Sequence, residues 1–147
     1  MRILYLICTV ALIACGGAST GAVSSELSSE QVVRAFMKAV ADSDLVRMGD
    51  LWGSSRGPAN VTRFPPEYPR RLAIIQAWLR GSDSIGIVSD MPVQGSSNER
   101  TVVIAYHRSG CIKQIPVTTV RSGKQWLVSS IDVGLAGTPA KPCVPGS

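Results

Sequence analysis

Histidine is almost absent from this sequence, with His107 the only one, and there are four cysteines. A His/Cys metal centre needs several such ligands close together, so no metal is expected. Aromatic residues make up 5% and charged residues 17%, the latter below the roughly 25% of ordinary soluble domains. No apolar run reaches the roughly 20 residues that a membrane-crossing helix requires, which excludes a multi-span membrane protein. No G-x-S-x-G nucleophile elbow occurs. Nor does a Gly-rich phosphate loop follow a strand: Gly16-Gly17 sits in a small-residue stretch and Gly53 follows a helical pattern. No cofactor is therefore expected. What the sequence does have is 45% hydrophobic residues over 147 positions, enough for one domain with a real core. Its formal charge is +5, with basic residues spread along the chain (Arg34, Arg47, Arg63, Arg80, Arg108, Arg121) and Arg70-Arg71 as the densest pair. A nucleic-acid surface needs a basic stripe interleaved with aromatics, so none is expected.

The N-terminus is the most informative segment. Met1-Arg2 supplies one positive charge, and Ile3 to Ala14 (ILYLICTVALIA) follows without any. A charged start, a short apolar stretch and a small-residue zone describe a secretory signal peptide. Leu12-Ile13-Ala14-Cys15 resembles the bacterial lipobox, in which the cysteine is acylated and becomes the first residue of the mature chain. Cys8 competes poorly, because Ile7 is too large and the apolar run would be cut in half. The expected organisation is a lipoprotein signal peptide over 1–14, with lipidation (palmitate) at Cys15, and a tether over 15–26 rich in small residues. A domain then fills 27–133, and a Pro-rich tail 134–147. Cleavage leaves a net charge of +4, whose natural consequence is weak attraction to anionic lipid. The expected location is the bacterial cell envelope. In a didermic host, Gly16 after the lipidated cysteine resembles the pattern of outer-membrane sorting, facing the periplasm.

Two cysteines remain, Cys111 and Cys143. In an exported protein a lone pair reads as one disulfide, here holding a tail with three prolines that has neither helical nor strand periodicity.

Between tether and tail the pattern is helical first. Ser28 with Gln31 forms a capping box, Leu27 is placed to staple onto Val32, and Val32, Val33, Phe36, Met37 and Val40 share one face. Ser43 or Asp44 restarts a short helix through Leu45, Met48, Leu51 and Trp52, ended by Gly53. Residues 53–66 read as loop. A third helix runs from about Pro69 to Arg80. Strand patterns follow at Ile85–Ser89, Thr101–His107, Cys111–Arg121 and Gln125–Val133, with a hairpin at Arg108-Ser109-Gly110. Pro116 implies an edge position or a bulge. Segregated helices and strands predict an α+β fold, three N-terminal helices packed on a curved antiparallel sheet of about four strands.

Val32-Val33-Arg34-Ala35-Phe36, Ala39-Val40-Ala41, Asp44 and Leu51-Trp52 resemble the opening helical pair of the nuclear transport factor two-like superfamily. Gly123 to Asp132 is similar to its last strand. The resemblance implies a cone-shaped domain, in a superfamily that holds isomerases, cyclases, dehydratases and non-catalytic binding modules. An isomerase-like site needs a carboxylate base and an acid donor inside the cone. The candidates are Asp132, Tyr106 and His107. Strand parity turns Tyr106 inward with Val102 and Ile104, and His107 outward. It makes Leu127, Ile131 and Val133 the core face of the last strand and turns Asp132 outward. Trp52, Trp78 and Tyr106 are the candidates for lining a pocket. With no acid–base pair, the expected function is a lipid-anchored, non-catalytic binding or scaffold module, whose partner is an envelope protein or a small apolar ligand. The alternative is a small-molecule isomerase or cyclase using the cone.

Overall fold

A computed structural model of the protein describes residues 26–140. The expected signal peptide, Cys15, nearly all of the expected tether, and Cys143 lie outside the described residues.

Helix α1 (Ser29–Ala41) begins as the sequence predicts. The Ser28 hydroxyl accepts from the Gln31 N–H at 3.2 Å, and the Gln31 side chain accepts from the Ser28 N–H at 2.8 Å. Two backbone donors without helical partners are thereby satisfied. Helix α2 (Leu45–Leu51) is capped by Asp44, whose carboxylate accepts from the Arg47 N–H at 2.9 Å. Residues 53–66 are more ordered than a loop. Two short strands, β1 (Gly53–Ser54) and β2 (Gly57–Pro58), form a hairpin, and one helical turn, α3 (Ala59–Thr62), follows. The hairpin needs glycine twice. A Cβ on Gly53 would sit 2.3 Å from the Gly57 carbonyl oxygen, and Gly57 has φ +129°. Helix α4 (Tyr68–Leu79) carries Pro69 in its first turn.

A four-stranded antiparallel sheet follows in simple order: β3 (Ser84–Pro92), β4 (Glu99–Arg108), β5 (Cys111–Ser122) and β6 (Gln125–Ile131). The fold is α+β. The β4–β5 turn places Ser109 at φ 51° and Gly110 at φ 80°, the paired positive angles of a two-residue hairpin whose twist matches the strands. Pro116 lies within an interior strand, yet opposite Val103 and just before β6 begins pairing at Val117. A missing N–H is tolerated there, because β5 has no neighbour on that side.

Val102, Ile104, Tyr106, Ile115, Val117 and Val128 join Phe36, Val40, Leu51, Leu72, Ile75 and Leu79 in one core. The helices therefore pack on the sheet, as the α+β reading expects. The last strand corrects the parity reading. Thr118 pairs Ser130 and Thr119 pairs Val128, so Ser129 is an extra residue in β6. A bulge flips the alternation. Val128 therefore faces the core, while buried Leu127 pairs Val120 on the other face, close beneath Gly53. Past Val133 the chain stays packed: Val133–Ala136 is a 3₁₀ turn with Ala136 in the core. The packed domain thus extends beyond the expected boundary at 133.

Candidate functional site

Tyr106 is buried on the core face, as parity predicts, at 1% exposure. Its hydroxyl donates to the Leu79 carbonyl oxygen at 3.1 Å, at the C-terminal end of α4. Arg108, two residues along and on the same face, packs its guanidinium over the Tyr106 ring at 5.4 Å. Its Nη1 donates to the Trp78 carbonyl oxygen at 2.9 Å and, at 3.4 Å, to the Tyr106 hydroxyl. Its Nη2 donates to the carbonyl oxygens of Ala136 at 2.6 Å and Gly137 at 3.1 Å. Carbonyls that end helices have no helical donors left, and a fork of guanidinium N–H groups suits them. Arg108 thus ties the end of α4 to the turn that closes the domain. Burial pushes the Tyr106 phenol above its ordinary range, and the neighbouring Arg108 charge only partly opposes this.

The other acid–base candidates do not join it. His107 lies on the opposite face of β4 and pairs with Ser84. Asp132 is exposed at the surface, where its carboxylate accepts from the Gly134 N–H at 3.1 Å and caps the 3₁₀ turn. Nor do the three aromatic pocket candidates share a cavity. Trp52 packs against Phe36, ring centroids 5.7 Å apart, and its backbone bridges to Val128. Trp78 is half-buried against the core beside the Arg108 bond.

Trp52 does line a groove of about 450 Å³ between α4 and β6. Ile75, Ile131 and Val133 complete its apolar wall, with Ile74 more exposed. Arg70, Arg71 and Glu67 stand at its rim, Glu67 and Arg71 being 3.7 Å apart. This size is ordinary for a small-ligand site. Its only carboxylate already faces a guanidinium, so the groove offers apolar contact and positive charge rather than a proton-transfer pair.

A second polar cluster lies at the other end of the core face, and sequence reading did not find it. The β3 bulge at Val88 turns Asp90 toward the core side, opposite Val102. There the Asp90 carboxylate accepts from the Ser29 hydroxyl at the start of α1 and pairs with Arg100 Nε at 2.6 Å. Arg100 also donates to the Asp90 carbonyl oxygen at 3.1 Å. Both Asp90 carboxylate oxygens meet donors within the fold, one from α1 and one from β4, which reads as a clamp between helix and sheet. The missed signal was the bulge, since unbroken alternation puts Asp90 on the other face.

No family model matches the chain, and no curated protein matches it.

Proposed function

We propose that the protein is a bacterial lipoprotein, cleaved before Cys15 and acylated there, that acts in the cell envelope as a non-catalytic binding or scaffold module. Its domain is of the nuclear transport factor two-like kind, helices packed on a curved sheet, with a Cys111–Cys143 disulfide holding the tail. The observation that carries the non-catalytic reading is the state of Tyr106. Its hydroxyl is spent on Leu79 and crowded by Arg108, while His107 and Asp132 lie elsewhere. A phenol held neutral by burial, without a facing carboxylate, has no proton-transfer partner. The apolar groove beside Trp52 supports a small apolar ligand, and an envelope protein is the other partner of this reading. Cys111 opens β5, buried and opposite Arg108, next to the point where the closing turn is already tied down.

The test is fractionation and intact mass. The wild-type chain is expected in the membrane fraction, carrying acyl chains on Cys15 as its first residue. The Cys15→Ser variant is expected to be unacylated and released or left unprocessed. An unmodified mature terminus at a later residue overturns the anchor.

A further inference from the structure

The basic excess falls in one stretch of the chain. From the α2 cap Asp44 to the α4 cap Arg80, six basic residues (Arg47, Arg56, Arg63, Arg70, Arg71, Arg80) face three acidic ones (Asp44, Asp50, Glu67). The remaining described residues carry seven basic and seven acidic side chains. The entire net charge of the described residues, +3, therefore sits on the α2–α4 layer.

Exposed apolar side chains collect in the same place. Val46 is 71% and Val61 77% exposed, and Leu45 and Phe64 are exposed as well. They belong to one surface. Asn60 Nδ2, next to Val61, donates to the Val46 carbonyl oxygen at 2.7 Å. Leu45 and Val46 border a shallow depression shared with Asn60, Tyr68 and Pro69. The Arg56 guanidinium covers the Phe64 ring at 4.7 Å. A surface of protruding aliphatic side chains rimmed by arginines matches the interface of an anionic bilayer, which takes apolar groups at its acyl boundary and cations at its headgroups.

The start of the described chain points to the same occupant. Glu26 and Leu27 share a groove with Arg47, Asp50 and Pro58, so the chain enters the domain beside this surface. Cys15 lies eleven residues before Glu26. Eleven residues span at most roughly 36–40 Å even when fully extended. A lipid on Cys15 would keep this face within that distance of the bilayer.

We propose that the α2–α3 surface, with Arg47, Arg56 and Arg63 around Leu45, Val46, Val61 and Phe64, is a second membrane contact that lays the domain on anionic phospholipid. The inference rests on the anchored-lipoprotein reading, and its test removes the anchor so that the two stand or fall separately. The chain from residue 15 onward, carrying Cys15→Ser, is sedimented with phosphatidylcholine vesicles with and without about 30% phosphatidylglycerol. Binding is expected only with phosphatidylglycerol and is lost in about 0.5 M salt. The triple variant Arg47→Gln, Arg56→Gln, Arg63→Gln is expected to bind at least about tenfold more weakly. Val46→Asp with Val61→Asp is expected to do the same. Arg34→Gln, Arg121→Gln, Lys124→Gln, an equal change in charge elsewhere, is expected to stay within about twofold. Hydrogen exchange on the unsubstituted chain provides a reading independent of variant folding. Anionic vesicles are expected to slow amides of residues 45–64 and leave β3–β5 unchanged. Absent binding to phosphatidylglycerol, equal losses in both triples, or exchange protection on the sheet instead each overturns the proposal. So does a dimer in light scattering that Val46→Asp with Val61→Asp dissolves, which would assign the surface to a second copy. Vesicle binding by a protein whose native Cys15 is unacylated would overturn the anchor and leave this surface standing.

Discussion

The Tyr106 hydroxyl donates to the Leu79 carbonyl oxygen across the core, joining the middle of the sheet to the end of α4 at 3.1 Å. Tyr106→Phe removes that donor and little volume. The expected cost is about 1 kcal/mol in a urea or thermal melt. The variant also tests pH dependence. Burial raises the folded-state pKa of this phenol above its unfolded value near 10. Its contribution is therefore fully present below about pH 10 and is lost as the pH rises through the raised value, because only the unfolded chain ionises easily. Stability is expected to fall in that alkaline window, and less steeply in Tyr106→Phe. Equal alkaline slopes in the two proteins would refute the assignment.

Arg108 holds a different joint. Four acceptors surround its guanidinium, three of them backbone carbonyls at helix ends. Charge-assisted bonds of this kind are worth about 1.5–3 kcal/mol. Arg108→Met keeps the aliphatic stem and discards the fork, so it should cost about that much and speed amide exchange in residues 133–137. Arg108→Lys should not restore the wild-type melt, since a single ammonium cannot reach both the end of α4 and the 3₁₀ turn in the same geometry.

How much of this could be read from residues alone depended on range. The α1 capping box and the Ser109-Gly110 hairpin are local, decided by neighbours three or fewer positions apart, and both are present as expected. The inward turn of Tyr106 and outward turn of Asp132 also followed from strand and turn grammar. Bulges broke the rest. One extra residue at Ser129 exchanged Val128 for Leu127 on the core face, and another at Val88 brought Asp90 against Ser29. Neither leaves a mark in the apolar alternation. The β1–β2 hairpin is two residues a side, too short to show any period. Trp52, Trp78 and Tyr106 failed to share a pocket because their neighbourhood is set by long-range packing, not by residue type. The charge excess lies in one contiguous stretch, residues 44–80, and was there to be counted; what the sequence hides is the packing that sets Val46 against Asn60.

The proposed Cys111–Cys143 disulfide has a measurable consequence. It would close a loop whose loss costs roughly 3–4 kcal/mol on chain-entropy grounds. Intact mass before and after reduction and alkylation should show one bridge, and reduction should lower the unfolding free energy from urea melts by that amount. Cys111→Ala with Cys143→Ala should match the reduced wild type. Alkylation of both Cys111 and Cys143 in the unreduced protein would remove the bridge from the account.

A close approach of backbone to side chain sits under the proposed membrane face. A Cβ built on Gly49 would lie 2.3 Å from Asn60 Oδ1. Asn60 cannot move away freely, because its Nδ2 donates both to the Val46 carbonyl oxygen at 2.7 Å and to the Asp50 carboxylate at 2.9 Å. Its Oδ1 accepts from the Tyr68 hydroxyl at 3.2 Å, and Arg63 donates to that hydroxyl at 3.0 Å. One side chain thus binds α2, α3 and α4 together, and the absent Cβ of Gly49 makes the room. Alanine at a helical glycine ordinarily gains up to about 1 kcal/mol in propensity. Here Gly49→Ala should instead destabilise by about 1–3 kcal/mol, because the methyl expels the amide from a set of bonds it alone completes. Asn60→Ala should cost a similar amount. In the double variant the clash is gone and the bonds are already lost, so the two costs should fall well short of additive. A double-mutant cycle by urea denaturation reads this directly, and strictly additive costs would mean that Gly49 and Asn60 do not oppose each other as their geometry requires.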